Sequence, residues 1–129
     1  MAVTSRNKYP LLFWRPFFDI GICYVTIAAA IYLCHLSIYF YPLSILIIAN
    51  RILALSLLSH EAIHGSLFTN HRVNNFFGRW FCAFPTCISF SKYRKLHLLH
   101  HRALGNTTYD PDFGLYKEYP IQISTYLGQ

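Results

Sequence analysis

The longest uninterrupted apolar stretch of the chain runs from Ile20 to Phe40, 21 residues without a charged side chain. About 20 helical residues, each rising about 1.5 Å, are enough to cross the hydrocarbon core of a bilayer. The apolar part of a cleaved signal peptide is shorter, about 7 to 15 residues. The pattern therefore predicts a first transmembrane helix over about residues 20–40.

A second apolar stretch follows an aromatic cluster that ends in Tyr41 and Pro42. Because the residue before a proline avoids helical backbone angles, the chain is predicted to turn there. The stretch continues over residues 43–59, about the shortest length that spans a bilayer as a helix. Residues 76–90 are apolar too, but a glycine, an arginine and a proline interrupt them, which favours an interfacial or re-entrant segment. These patterns predict an all-α membrane protein, with a transmembrane helical hairpin followed by interfacial helices.

The positions of the charged residues predict how the helices are oriented in the membrane. Only 12% of the residues are charged, and none lies between Ile20 and Asn50, whereas a soluble domain carries about 25%. The cations, which give a net charge of +6, lie on both flanks of the apolar block, and this bias favours the cytoplasm for both flanks. They form no stripe with an aromatic platform of the kind that binds nucleic acid. We therefore predict a multi-pass integral membrane protein with a cytoplasmic amino terminus, residues 1–18 as a cytoplasmic or interfacial lead-in, and no nucleic-acid partner.

Five of the seven histidines fall into two short groups, here called the first histidine cluster (residues 60–64) and the second histidine cluster (residues 97–101). In a helix, positions four apart differ by about 40° in azimuth, so the first pair shares one face, and the second group lies within an arc of about 100°. Imidazole is the commonest metal ligand and suits iron, zinc, copper and nickel. The sequence therefore predicts a cytoplasmic metal site with five candidate ligands: His60, His64, His97, His100 and His101.

The first cluster also reads as His-Glu-x-x-His, the helical motif in which two histidines bind zinc and the glutamate is a general base. A membrane zinc hydrolase with Glu61 as its base is therefore an alternative. Such a site needs one further ligand and an open coordination position. The second cluster offers three more nitrogens, a surplus that fits two metal ions better than one.

Taken together, the two clusters resemble those of the membrane fatty acid desaturase and hydroxylase superfamily. The segments that carry the resemblance are HEAIHGSLF and YRKLHLLHHRALGNTTYDPD. They are similar to the family's first two histidine boxes, H-x3-H and then H-x2-H-H followed by an arginine and D-P-D. The resemblance extends from the hairpin to Asp112, and the paired boxes are far more specific than either one alone.

This resemblance implies a site of two iron ions at the cytosolic ends of transmembrane helices, with the five clustered histidines as ligands. Zinc is the alternative metal and belongs to the hydrolase hypothesis. It implies an oxidoreductase of lipid metabolism that desaturates or hydroxylates an acyl chain with oxygen. The implied partners are a lipid substrate, the surrounding membrane lipid and an electron donor such as ferredoxin, cytochrome b5 or a reductase. Three acidic residues are expected to orient the imidazoles from behind: Glu61, Asp110 and Asp112.

The sequence departs from the family pattern after the second cluster. None of the 28 residues that follow His101 is a histidine, so the family's third box and second hairpin are not found in this sequence. Residues 19–129 are accordingly interpreted as a partial, amino-terminal desaturase-like domain, expected to be inactive alone. A noncatalytic remnant that binds metal or a partner within the bilayer is the third hypothesis.

Overall fold

The computed structural model describes residues 10–117, with side chains from Trp14 onward. Within that range the chain forms helices and no β-strand. It divides into two compact units, one ending at Ser91 and the other beginning at Lys92. Residues 1–9 of the predicted lead-in lie outside the described range.

The first helix, α1, spans Pro10–Leu36 and has 27 residues. It begins well before the boundary predicted at about residue 20, and it takes in residues 10–18 of the predicted lead-in. Pro16 lies inside α1, where the amide hydrogen that a proline lacks removes one helical hydrogen bond.

The turn after α1 is made by Ser37, whereas the sequence predicted a turn at Tyr41 and Pro42. Ser37 is extended (φ −165°, ψ 145°), and its Oγ accepts a hydrogen bond from the Tyr39 amide at 3.3 Å. One turn of 3₁₀ helix, Ile38–Phe40, then leads into the next helix. Pro42 lies in the first turn of that helix, where a proline removes no helical hydrogen bond.

The second helix, α2, spans Tyr41–His64 and has 24 residues, more than the predicted 43–59. It ends at Gly65, whose φ of +73° is in the left-handed region, a conformation that glycine adopts without steric penalty. The Gly65 amide donates to the Ala62 carbonyl at 3.0 Å. The first histidine cluster is therefore the last turn of α2.

The outer surfaces of α1 and α2 are apolar. The segments Trp14–Leu36 and Ile38–His64 have mean hydropathies of 1.9 and 1.8, and only 17% of each apolar window is buried within the structure. A core helix of a soluble protein would be mostly buried, whereas helices of this length and surface are suited to a surrounding bilayer. The chain is an all-α membrane protein, as the sequence predicts.

Helix α3 spans His71–Phe77 and starts from a side-chain cap. The Asn70 Oδ1 accepts hydrogen bonds from the amides of Arg72 and Val73 at 2.9 and 3.3 Å. Two of the first-turn donors, which have no partner within the helix, are thereby satisfied.

A π-helical turn, Gly78–Ala83, and a 3₁₀ turn, Phe84–Thr86, continue directly from α3. They form most of the apolar segment that the sequence marks as interrupted. The π-helical turn lies very close to α2, since a Cβ at Gly78 would be 2.3 Å from the Cβ of Ala62. The interrupting glycine is thus a packing requirement.

Helix α4 spans Phe90–Ala103 and carries the second histidine cluster. It is followed by a loop in which Gly105 has a left-handed φ of +82°. The loop ends in a single helical turn, α5, which spans Phe113–Tyr116.

Candidate metal centre

The first histidine cluster places two imidazole rings side by side at the end of α2. The ring centroids of His60 and His64 are 4.7 Å apart, and the ring planes meet at 64°. The helical spacing of four positions therefore brings both rings to one face, as predicted. Two imidazoles at this separation can contribute ligands to one metal site.

A buried asparagine fixes the backbone of this cluster. Asn74 is fully buried, its Nδ2 donates to the Ala62 carbonyl at 2.7 Å, and its Oδ1 accepts from the Phe68 amide at 3.1 Å. A carboxamide can do both because it carries a donor and an acceptor. Asn74 thus ties α3 and the preceding loop to the turn between His60 and His64. Sequence reasoning missed it, because a lone asparagine has no spacing signal.

Glu61 contacts the chain that leaves α2. The Ser66 Oγ lies 2.5 Å from Glu61 Oε2 and 2.9 Å from the Glu61 carbonyl oxygen. The Ser66 amide also donates to that carbonyl at 3.0 Å. These contacts stabilise the end of the helix, and the expected role of Glu61 in orienting an imidazole stays a prediction.

A cavity of about 480 Å³ lies between α1 and α2 and reaches the first cluster. Its lining is mostly apolar, and His60 and Glu61 lie in its wall. Arg51, which donates a hydrogen bond to Asn50 Oδ1, lies in the wall as well. Cavities of this size and lining are typical of sites for small apolar ligands.

In the unit that begins at Lys92, α4 brings His97 and His101 together. Their Nε2 atoms are 3.0 Å apart, and their ring planes are nearly perpendicular at 89°. The ring of Tyr93 lies one turn earlier, with its centroid 5.4 Å from that of His97. Burial raises the pKa of the Tyr93 phenol, so this neighbour is uncharged at neutral pH. The paired nitrogens are placed to act as ligands in a common site.

His100, on the same helix, is paired with a carboxylate. Its Nδ1 lies 2.8 Å from Asp110 Oδ1 and 3.7 Å from Asp112 Oδ2. The Asp110 side chain is fully buried, whereas 20% of the His100 side chain is exposed. Of the two expected aspartates, Asp110 is therefore the direct partner of the ring.

Asp110 is ionised although it is buried. Burial alone would raise its pKa, but hydrogen bonds from Tyr116, His100 and the amides of Asp112 and Gly105 hold the pKa of this carboxyl well below its ordinary value. A carboxylate only accepts hydrogen bonds, so His100 Nδ1 carries the proton. In the neutral form of the ring, Nε2 would then carry the lone pair that a metal requires.

Two residues that sequence reasoning missed complete this network. The Tyr116 hydroxyl donates to Asp110 Oδ2, and the Gly105 amide donates to the same oxygen at 3.2 Å. Neither lies at a regular spacing from the histidines, because loop closure brings them to Asp110. Within each unit, the predicted residues that the structure brings together are His60 with His64, His97 with His101, and His100 with Asp110 and Asp112.

Comparison with known proteins places this arrangement in a family. The family model described as fatty acid desaturase matches residues 36–127. The chain is also similar to dihydrorhizobitoxine desaturase of Bradyrhizobium elkanii, with 36% identity over 77 residues, which are 59% of this chain and 22% of that protein. No solved structure matches the chain. Since the family model covers well over half of the chain, with both histidine clusters and the aspartates behind His100, the chain belongs to the fatty acid desaturase family.

Proposed function

We propose that this protein takes part in the oxygen-dependent desaturation, or hydroxylation, of an acyl chain at a site of two iron ions. Membership of the fatty acid desaturase family supports this class of reaction. The single observation that carries the proposal is the 2.8 Å contact between Asp110 and His100 Nδ1. Metal-ligating histidines are typically held by a carboxylate or carbonyl behind the ring.

The donor chemistry fits iron. The candidate ligands are imidazoles, which in their neutral form suit iron and leave coordination positions open for oxygen. Bound iron would supply the oxygen activation that breaking an unactivated C–H bond requires. Zinc has no redox chemistry and would fit only the hydrolase alternative. The residues that we assign as ligands are His60, His64, His97, His100 and His101.

The surrounding residues have roles that follow from their contacts. Asp110 holds His100 with Nδ1 protonated and Nε2 available, and Asn74 fixes the turn that carries the first cluster. The open cavity beside His60, whose surface is largely apolar, would accommodate part of an acyl chain. Glu61 and Asp112 are proposed to orient ligands from behind.

The remaining parts of the proposal concern partners and location. The electron donor would be ferredoxin, cytochrome b5 or a reductase, because oxygen reduction needs external electrons. The chain would cross the membrane more than once, with its amino terminus and both clusters in the cytoplasm. The match covers 22% of the desaturase relative, and residues 19–129 are proposed to form part of a desaturase-like domain.

Metal analysis of the detergent-purified chain tests the ligand assignment. The chain is loaded with ferrous iron under anaerobic conditions, desalted, and analysed for iron and zinc per polypeptide. We expect the wild type to retain iron and the His97→Ala, His100→Ala, His101→Ala triple variant to lose it. The matched control is the His35→Ala, His71→Ala variant, in which two exposed histidines outside the clusters are removed.

Two results would count against the proposal. Equal iron content in the triple variant and the wild type would exclude the second cluster as ligands. A single zinc ion that resists exchange for iron, with hydrolysis lost on Glu61→Gln, would favour the zinc hydrolase.

A further inference from the structure

Tyr116 reaches back from α5 to the aspartate behind His100. Its hydroxyl donates to Asp110 Oδ2 and accepts a hydrogen bond from the Gly105 amide at 2.8 Å. The turn of α5 brings it there, although it is six positions beyond Asp110 in the sequence. The phenol therefore closes the loop that follows the second cluster.

Both oxygens of Asp110 are occupied, and each has its own set of donors. Oδ1 accepts from His100 Nδ1 at 2.8 Å and from the Asp112 amide at 2.9 Å. Oδ2 accepts from the Gly105 amide at 3.2 Å and from the Tyr116 hydroxyl. A carboxylate with both oxygens held cannot rotate about its Cβ–Cγ bond without losing contacts, so the direction of Oδ1 is fixed.

Tyr116 provides the only side-chain contact to Oδ2 among the hydrogen bonds of the described residues. Without the hydroxyl, the Gly105 amide would be the one donor left to that oxygen among the described residues, at the longest distance of the set. Oδ1 would keep its own donors, His100 Nδ1 and the Asp112 amide, but the carboxylate would be held less firmly against rotation. The direction of the acceptor behind His100 Nδ1 would then vary, and the orientation of the ring would be less restricted.

We propose that Tyr116 is a positioning residue of the second histidine cluster: its hydroxyl orients Asp110, which in turn holds His100 with Nδ1 protonated and Nε2 presented as the metal ligand. This rests on the proposed function, in that His100 is taken to bind metal. Tyr116 contacts neither metal nor substrate in this assignment. It acts through Asp110 alone.

Replacing Tyr116 with phenylalanine tests the role of the hydroxyl group separately from that of the ring. The ring of Tyr116 lies edge-on to His100, with centroids 5.9 Å apart, and to Phe113, with centroids 5.7 Å apart. Tyr116→Phe keeps these ring contacts and removes only the two hydrogen bonds of the hydroxyl. Tyr109→Phe is the matched control, because Tyr109 is 69% exposed and lies in the same loop.

The experiment uses the full chain in detergent with two readouts. Nitrogen NMR of histidine-labelled protein reports the tautomer of His100 without metal, and titration with cobalt(II), followed by visible absorption, reports affinity. We expect one Nδ1-protonated tautomer in the wild type and in Tyr109→Phe, and a mixture in Tyr116→Phe. Losing a direct partner of a ligand typically costs about 10- to 100-fold in affinity. Tyr116 is one contact further out, so a loss of about 3- to 10-fold is expected.

A double-mutant cycle tests whether Tyr116 acts through Asp110, even if Tyr116→Phe also destabilises the fold. If Tyr116 acts through Asp110, Tyr116→Phe should cause no further loss of cobalt affinity in an Asp110→Asn background. Additive losses, or an unchanged His100 tautomer in Tyr116→Phe, would overturn the positioning role. The proposed function fails separately: if the wild type binds no cobalt while its His100 tautomer depends on Tyr116, the positioning role stands and the metal assignment does not.

Discussion

The three acidic residues near the histidine clusters differ in what their carboxylates contact. Asp110 is buried and lies 2.8 Å from His100 Nδ1, whereas Asp112 is half-exposed and lies 3.7 Å from the same nitrogen. Glu61 contacts Ser66 at the end of α2. Their contributions to metal binding are therefore expected to fall in the order Asp110, Asp112, Glu61.

Asp110→Asn should weaken metal binding most of the three. Asparagine has the size of aspartate but no charge, and its amide group cannot accept from all the donors that surround Asp110. The loss of a direct carboxylate partner is expected to lower cobalt(II) affinity about 10- to 100-fold. Asp112→Asn is the matched control and should have a much smaller effect in the same titration. Equal losses in the two variants would contradict this ranking.

At this scale the pairing of the histidines was predictable from the sequence, and the contacts that support them were not. The pairs could be predicted from spacing, because helical periodicity alone brings positions three and four apart to one face. The contacts of Asn74 and Tyr116 depend on how loops close after α2 and α4. No periodic pattern encodes such closures, so both residues were missed and the three carboxylates were treated alike.

The π-helical turn packs closely against α2. A Cβ at Gly78 would lie 2.3 Å from Ala62 Cβ and 2.9 Å from a ring carbon of Phe90. Ala62 lies between the two histidines of the first cluster, and its carbonyl is the acceptor for Asn74. A shift of the π-helical turn would therefore be transmitted to the first cluster.

We expect Gly78→Ala to lower the stability of the hairpin and its metal content together. The added methyl group must displace Ala62 or the turn, and such overpacking typically costs about 1–3 kcal/mol. Gly21→Ala in α1 is the control, since a Cβ there meets no atom within 4 Å among the described residues. Thermal unfolding followed by circular dichroism in detergent, with iron analysis of the same samples, checks both effects. A Gly78→Ala protein as stable as Gly21→Ala would show that the turn is not packed as described.

Helix type was predictable for the long elements, and helix ends were not. Apolar length alone predicted two long helices, and the described residues contain two helices long and apolar enough to cross a membrane. The predicted and observed helix ends differ because a proline is favoured both in turns and in the first turn of a helix. Pro42 was the basis for a predicted turn, but it lies in the first turn of α2. The actual break, at Ser37, depends on one side-chain hydrogen bond to Tyr39, which has no distinctive sequence pattern.

For the whole molecule, a hairpin that crosses the membrane would place both of its ends on the same side. Two helices joined by one short turn bring the start of α1 and the end of α2 to the same side. Cations lie near both ends, at Arg15 before the apolar block and at Arg72 and Arg79 after it. Positive charge is retained in the cytoplasm, so this side is expected to be cytoplasmic and the Ser37 turn to face the opposite compartment.

Labelling with a membrane-impermeant maleimide checks this orientation. Cys23 and Cys82 are buried, and Cys87 is exposed beyond the end of α2, so a Cys34→Ser background leaves Cys87 as the accessible thiol. It should react in inside-out vesicles and stay unlabelled in right-side-out ones. Tyr39 is 88% exposed in the turn, so a cysteine there probes the other side of the membrane. The Tyr39→Cys, Cys34→Ser, Cys87→Ser variant should react only in right-side-out vesicles. Labelling of both probes from the same side would mean that α1 and α2 do not cross the bilayer as a hairpin. It would also contradict the cytoplasmic assignment of the first cluster.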